Sequence, residues 1–234
     1  MPLPNTNPSK PPLPGAGVVA FLWVEGASPR LQRAQQLLES SILHFGLQPM
    51  KFPAGRELTP FGELLKAARA RCQGRAFVWC NSDVVLTRHP FDVPDPNRVY
   101  GFHRREIPSG HFTGGIDMYY IPTAVWDNVL SHDIPRLLLG ASYVDWWISR
   151  KAEQIGLYET LTGYIDHESH PQSPASGSDR SLAYQANFRE YNRWARRNGL
   201  NPIPAPPYIL PYIGHVWGLR DAIRKALALC LAKK

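Results

Sequence analysis

The run Gly17–Val24, GVVAFLWV, carries no polar side chain and stops at Glu25-Gly26, which is how a strand buried on both faces reads. Pro29–Phe45 follows with Leu31, Ala34, Leu37, Leu38, Ile42 and Leu43 close to a 3.6-residue period, and Gly46 sits where a helix-ending glycine belongs. A short strand is expected at Met50–Phe52, then a helix over Pro60–Arg71 with Phe61, Leu64, Leu65 and Ala68 on one side, then an apolar strand from Phe77. The order β-α-β-α-β predicts an α/β fold with a mostly parallel central sheet flanked by crossover helices.

Within Phe77–Thr87, FVWCNSDVVLT, an apolar strand runs straight into the turn Asn81-Ser82-Asp83. In an open α/β sheet the carboxyl ends of the strands border the ligand crevice, so Asn81 and Asp83 stand where a phosphate-bound metal is held. A strand-ending turn closed by local Asn, Ser and Asp hydrogen bonds explains the same residues. Residues further along the chain bear on the choice between the two.

Beyond Asp83, Val99–Phe102 reads as a short strand and His103–Thr113 as a polar loop carrying Arg104 and Arg105. Gly114-Gly115 opens another strand, Ile116–Ile121, closed by Pro122. Helices are expected over Thr123–Leu130, with Thr123 as N-cap, over Tyr143–Ile155 and over Tyr184–Asn198, the last two stopped by Gly156 and Gly199. Tyr164–Gly177, YIDHESHPQSPASG, is rich in Pro, Ser and Gly and predicts a surface loop. Leu219–Leu231 predicts a final helix.

A chain of 234 residues with 44% hydrophobic content can bury one substantial core. Residues 1–16 are proline-rich and lack an apolar period, so a flexible arm is expected before a single domain at 17–200 and a basic connector and helix at 201–234. With no apolar signal region and no run long enough to span a bilayer, a soluble cytoplasmic protein is expected. Cys72, Cys80 and Cys230 show no CxxC spacing, which argues against a disulfide framework or a zinc knuckle. The net charge of +7 is concentrated: Phe188–Lys234 holds nine Arg or Lys against Glu190 and Asp221, and the first 187 residues balance. Either one basic face meets an anionic partner or the helices simply have solvated charged faces.

Four pieces in order, Asn81-Ser82-Asp83, Arg104-Arg105, Gly114-Gly115-Ile116-Asp117 and Asp166-His167-Glu168-Ser169-His170, resemble the GT-A class of nucleotide-sugar glycosyltransferases over roughly residues 17–178. The resemblance implies a single GT-A, Rossmann-like domain that moves a sugar from a nucleoside diphosphate sugar, most often a UDP-sugar, to an acceptor hydroxyl with Mn²⁺ or Mg²⁺. It places Asn81, Ser82, Asp83, Arg104, Arg105, Gly114 and Gly115 at the donor, and Asp83, His167 and His170 at the metal. Asn81 departs from the D-x-D pattern of that class, and Asp83 alone keeps its last carboxylate. Mg²⁺ in nucleotide sites commonly takes only one or two carboxylates.

Asp145, in Tyr143-Val144-Asp145-Trp146-Trp147, matches the acidic helix start that meets the acceptor in the resembling enzymes, and an ionised carboxylate there can take the hydroxyl proton. Helix-dipole stabilisation explains an Asp at that position equally. Asp117 is a second catalytic candidate, since a carboxylate buried in a strand needs hydrogen bonds that a sugar could supply; Asp127 is a third. For the acceptor, Arg189, Arg193, Arg196 and Arg197 beside Tyr191 and Trp194 suit phosphate contact and base stacking, as for a hydroxylated base in DNA. A saccharide or lipid-linked acceptor at an anionic membrane surface fits the charge as well. From other classes, a metal-dependent nuclease or phosphoesterase, or a binding module on a transferase fold, accounts for the same Asp and His residues.

Overall fold

Seven strands join into one sheet in the order β2-β1-β3-β6-β5-β7-β4. The computed structural model describes residues 17–53, 60–139, 143–169 and 178–203, and at Asp145 and 178–182 the backbone alone. The expected arm, His170, Cys230 and the expected C-terminal helix lie outside the described residues.

The first half follows the sequence pattern. β1 (Val18–Trp23) lies between β2 (Gln48–Pro53) and β3 (Ala76–Cys80) and is parallel to both. α1 (Pro29–His44) and α2 (Phe61–Arg71) make the crossovers. Ser28 caps α1, accepting from the Leu31 amide at 3.4 Å with Pro29 in the first turn. Gly46 then takes φ +69°, the left-handed turn that lets the Leu47 amide reach back to the Ile42 carbonyl. Phe61, Leu64, Leu65 and Ala68 of α2 bury against Val18, Ala20, Phe77 and Trp79, and Leu38 and Ile42 of α1 against Val19 and Phe21 on the other face. β1 is thus covered on both sides, as its unbroken apolar run requires.

The second half does not continue the parallel pattern. β3 ends at Cys80 and runs into the expected turn at Asn81-Ser82-Asp83, after which a separate short strand that the sequence did not announce, β4 (Val84–Leu86), lies on the far edge. β5 (Val99–Ile107) and β6 (Phe112–Pro122) form an antiparallel hairpin, so the residues expected as a loop at 103–113 are mostly strand. β7 runs over Tyr158–Glu168, parallel to β5 and antiparallel to β4, where a surface loop was expected from Tyr164 onward. The sheet is therefore mixed, with three parallel and three antiparallel pairings, and not mostly parallel. A hairpin turn of a few residues leaves no room for the crossover that parallel neighbours need, so β6 can only return antiparallel.

α3 (Thr123–Val125) is a single turn that widens into a π-helical turn at Trp126–Leu130. Its N-cap is Pro122 and not Thr123, whose hydroxyl instead bonds the Arg75 carbonyl at 3.0 Å. α4 (Val144–Gln154) and α5 (Ser178–Arg197) close the α2 side of the sheet through Trp147, Ile148, Tyr191 and Trp194. Among the described residues no helix is long and apolar enough to cross a membrane.

Candidate functional site

The strand order reverses at β1, so the crevice at the carboxyl ends of β1 and β3 is where a ligand of such a sheet is expected. Asn81, Ser82 and Asp83 leave β3 at this end, and three further strands bring partners to them. The Asn81 amide donates to the Asp117 carbonyl at 2.8 Å, which ties the turn to β6. The β4–β7 register sets Val84 opposite His167, and the β5–β7 register sets Glu106 opposite His167. Residues far apart in sequence thereby form one polar cluster.

Within it, His167 lies between two carboxylates. Its Nδ1 meets Glu106 Oε2 at 2.8 Å and its Nε2 lies 3.3 Å from Asp83 Oδ2. Glu106 also accepts from Arg104 Nε at 2.6 Å and from the Ser169 hydroxyl at 2.8 Å. Arg104 reaches on to Asp117 Oδ2 at 2.9 Å, and Asn81 Nδ2 donates to Asp117 Oδ1 at 2.5 Å. Asp83, at the rim, keeps a quarter of its side chain exposed, whereas His167 is buried.

The electrostatics follow from burial set against these bonds. Burial works to raise the Glu106 carboxyl, and the hydrogen bonds from His167 and Ser169 with the charge of Arg104 outweigh it, drawing it down to about 2. Burial pushes the Asp117 carboxyl above the usual range, with Arg104 pulling against it and Asp83 adding to the rise. For His167, burial favours the neutral ring, but hydrogen bonding to Asp83 and Glu106 wins and raises its pKa. Formally, three carboxylates against one guanidinium leave the cluster at −2 when His167 is neutral. A divalent cation balances that charge, and a diphosphate alone is repelled by it.

The donor set fits such a cation. An oxygen and a nitrogen that ligate one octahedral ion from adjacent positions stand about 3 Å apart, close to the 3.3 Å between Asp83 and His167. The second ring nitrogen of His167 is held by a carboxylate, the usual arrangement behind a metal-binding histidine. Among the described residues no group of three or more His, Cys, Asp or Glu side chains is arranged around a metal position. The protein would thus supply two ligands, with the rest coming from phosphate oxygens and water.

The other predicted residues divide. Arg104 joins the cluster, but Arg105 occupies the next rung of the β5–β7 ladder and so stands on the opposite face of the sheet. It forms a two-pronged pair with buried Asp166, both bonds at 2.8 Å. Gly114 and Gly115 lie at the open end of β6, where an added Cβ on Gly114 would meet no protein atom within 4 Å. Gly114 lines a groove of about 250 Å³ with Ile116, Tyr119, Trp146, Arg150 and Glu153, three residues along β6 from Asp117. Asp145 lies in the first turn of α4, next in sequence to Trp146 of this groove, with only its backbone described. Its helix is entered through Tyr143 at φ +84°, a left-handed geometry that strains a residue with a Cβ. Asp127 is held by Arg69, with bonds of 2.7 to 3.2 Å, and has no place in the cluster.

Two predicted features do not survive. Tyr191 and Trp194 are buried in the core at 1% and 0% exposure, so they have no face on which a nucleic-acid base can stack. Of their neighbouring arginines, Arg193 pairs with Glu190 and Arg197 with Asp133. His167 belongs to a buried strand and not to a loop. Glu106 and Ser169 were missed. His103-Arg104-Arg105-Glu106 is polar throughout and carries no local strand signal; only the β5–β7 register brings Glu106 to His167.

The sequence matches no protein-family model and no curated protein. Solved structures with a similar chain path are glycosyltransferases and nucleotidyltransferases. One is a glycosyltransferase involved in the glycosylation of the major capsid of PBCV-1, 13% identical at a TM-score of 0.41, covering 73% of this chain and 98% of that one. Another is the inositol-1-phosphate CTP transferase from T. maritima, 7% identical at 0.45, covering 80% and 99%. A third is the galactosyltransferase LgtC, solved with donor and acceptor sugar analogues, 12% identical at 0.36, covering 80% and 97%. Likenesses at these scores carry no weight for function, which rests on the side chains themselves.

Proposed function

We propose that this protein is a glycosyltransferase that uses a nucleoside diphosphate sugar, with UDP as the fitting nucleotide, and Mn²⁺ or Mg²⁺. The observation that carries the reading is the Asp83–His167–Glu106 constellation: a rim carboxylate 3.3 Å from an imidazole nitrogen, in a cluster with excess negative charge at the strand ends. A divalent cation bound there supplies Lewis-acid charge to the departing diphosphate.

The protein's own groups divide the remaining work. Asp83 and His167 hold the donor end, and Asn81 and Ser82 set the turn that presents Asp83. Arg104 spans Glu106 and Asp117, so it fixes two carboxylates while lending positive charge near the diphosphate. Asp117, buried under Arg104 and Asn81, is suited to holding those two groups and poorly suited to taking a proton from an acceptor. Arg105, committed to Asp166 on the other face, contributes no donor contact in this reading. Gly114 and Gly115 leave the backbone of β6 open to the sugar.

The acceptor hydroxyl comes from the groove beside Gly114, where Trp146 offers an exposed ring and Arg150 and Glu153 offer hydrogen bonds. In this reading the base for its proton is Asp145, assigned from its sequence position at the start of α4. A saccharide or lipid-linked sugar suits this lining better than a DNA base, because Tyr191 and Trp194, among the α5 arginines, are buried. A two-metal nuclease gathers several carboxylates around its cations, and no such group exists among the described residues.

The test is a titration of nucleotide sugars by calorimetry with and without Mn²⁺, repeated on Asp83→Ala. Mn²⁺-dependent binding of a UDP-sugar that weakens at least about 100-fold in the variant is expected, the loss of roughly 3 kcal/mol that removing a charged ligand group produces. Tight metal-dependent binding that survives Asp83→Ala would sink the assignment.

A further inference from the structure

The proposed cation has two protein ligands, and the more buried of them is held from behind by a residue that no sequence motif marks. We propose that Glu106 is the positioning residue for His167: it fixes the imidazole so that Nε2 faces Asp83 and the incoming cation. This rests on the reading of Asp83 and His167 as metal ligands.

Three features of the chain make Glu106 suited to that task and leave it little else to do. Glu106 and His167 are direct partners on the parallel β5–β7 ladder, so the distance between their backbones is fixed by the sheet. The Glu106 carboxylate is in turn immobilised from two sides, by Arg104 on Oε1 at 2.6 Å and by the Ser169 hydroxyl on Oε2 at 2.8 Å. The main chain at Glu106 is pinned by a bond from its amide to the His111 carbonyl at 2.8 Å and one from the Gly110 amide to its carbonyl at 2.7 Å, which close the hairpin turn. With its carboxylate thus fixed, the 2.8 Å contact to His167 Nδ1 fixes both the rotation of the ring and which nitrogen carries the hydrogen. The nitrogen left for a cation is then Nε2, the one 3.3 Å from Asp83.

The Glu106 oxygens are engaged by Arg104, Ser169 and His167, and the Glu106 contact to His167 is on the ring nitrogen turned away from Asp83. Its effect must therefore pass through His167. That makes a double-mutant cycle decisive, since residues acting as one unit do not add.

The experiment measures Mn²⁺ affinity of the full chain in the presence of UDP, by electron paramagnetic resonance, for wild type, Glu106→Ala, Glu106→Gln, His167→Ala and the Glu106→Ala/His167→Ala double variant. Glu106→Ala is expected to weaken Mn²⁺ by about 10- to 100-fold, and Glu106→Gln, whose amide oxygen can still accept from Nδ1, by less. The double variant is expected to be no weaker than His167→Ala alone. In ¹⁵N spectra at a pH where His167 is neutral, wild type is expected to carry its hydrogen on Nδ1 and Glu106→Ala to show a mixture of tautomers; a purely architectural glutamate would not move this signal. Additive losses in the cycle, or an unchanged tautomer and affinity in Glu106→Ala, would overturn the role of Glu106 while leaving the metal site standing. Absence of Mn²⁺ binding by the wild type would overturn the metal site and the role of Glu106 together.

Discussion

Asn81 keeps an amide where a second carboxylate would double the charge of the turn, and its neighbour Asp117 gives the physical reason. Asn81 Nδ2 donates to Asp117 Oδ1 at 2.5 Å, and Asp117 is 5% exposed. Asn81→Asp would exchange a hydrogen bond to a charged group, worth about 1.5–3 kcal/mol, for two carboxylates in contact. At a separation of roughly 3 Å and an effective dielectric constant of about 20, their repulsion is roughly 5 kcal/mol. Carboxylates that close share a proton instead of bearing the full repulsion. The folded pair therefore holds its shared proton above the unfolded value of about 3.9, at a cost at neutral pH of up to that repulsion, about 5 kcal/mol.

The sign of the pH dependence separates this from simple loss of a bond. The folded variant holds a proton that the unfolded chain releases, so the added stability is complete below about pH 4 and is lost as pH rises through the raised pKa of the pair, at up to about 1.4 kcal/mol per unit. Relative to wild type, Asn81→Asp should therefore lose little stability at pH 4.5 and progressively more, up to about 5 kcal/mol, by pH 7.5. Asn81→Ala, which deletes the donor without adding a charge, should cost about 1.5–3 kcal/mol at both. Urea unfolding followed by circular dichroism at pH 4.5, 6 and 7.5 measures all three proteins. Equal losses for the two variants at every pH would refute the account of why position 81 is not an acid.

Asp166→Asn breaks the two-pronged bond from Arg105 across β5 and β7 and should cost about 1–3 kcal/mol on urea unfolding. Because that pair stands on the far face of the sheet, donor affinity measured by calorimetry should stay within about twofold of wild type. Trp147 is fully buried and Trp146 is 42% exposed, so Trp147→Ala should lose about 3–5 kcal/mol. Trp146→Ala should stay within about 1 kcal/mol while raising the acceptor KM, read from initial rates. Comparable stability losses for the two tryptophans would mean that Trp146 packs as core and not as the wall of the acceptor groove.

The parts of the fold legible in the sequence are those whose burial is written in a local period. β1 is apolar throughout because α1 and α2 cover it from both sides, and Gly46 ends α1 in a geometry that few other residues adopt. The second half hides its strands because their ends are polar on purpose: Arg104, Arg105 and Glu106 on β5 and Asp166 and His167 on β7 pair with one another, so charges occupy positions that a hydrophobic pattern reads as loop. A buried charge is tolerable once its partner stands on the next strand, and that partner is 61 residues away in each of these pairs.

The site is half legible for the same reason. Asp83 is visible because it follows an apolar strand directly; Glu106 is not, because its meaning depends on a register that only the β5–β7 ladder supplies. Asn81 looks like a missing carboxylate when taken as one member of a local triplet. With Asp117 placed on β6 against it, a carboxylate at 81 would be the costly choice, and the amide satisfies Asp117 while leaving Asp83 as the charge that faces the crevice. The turn is better described as one rim carboxylate backed by a neutral donor than as a defective pair of acids.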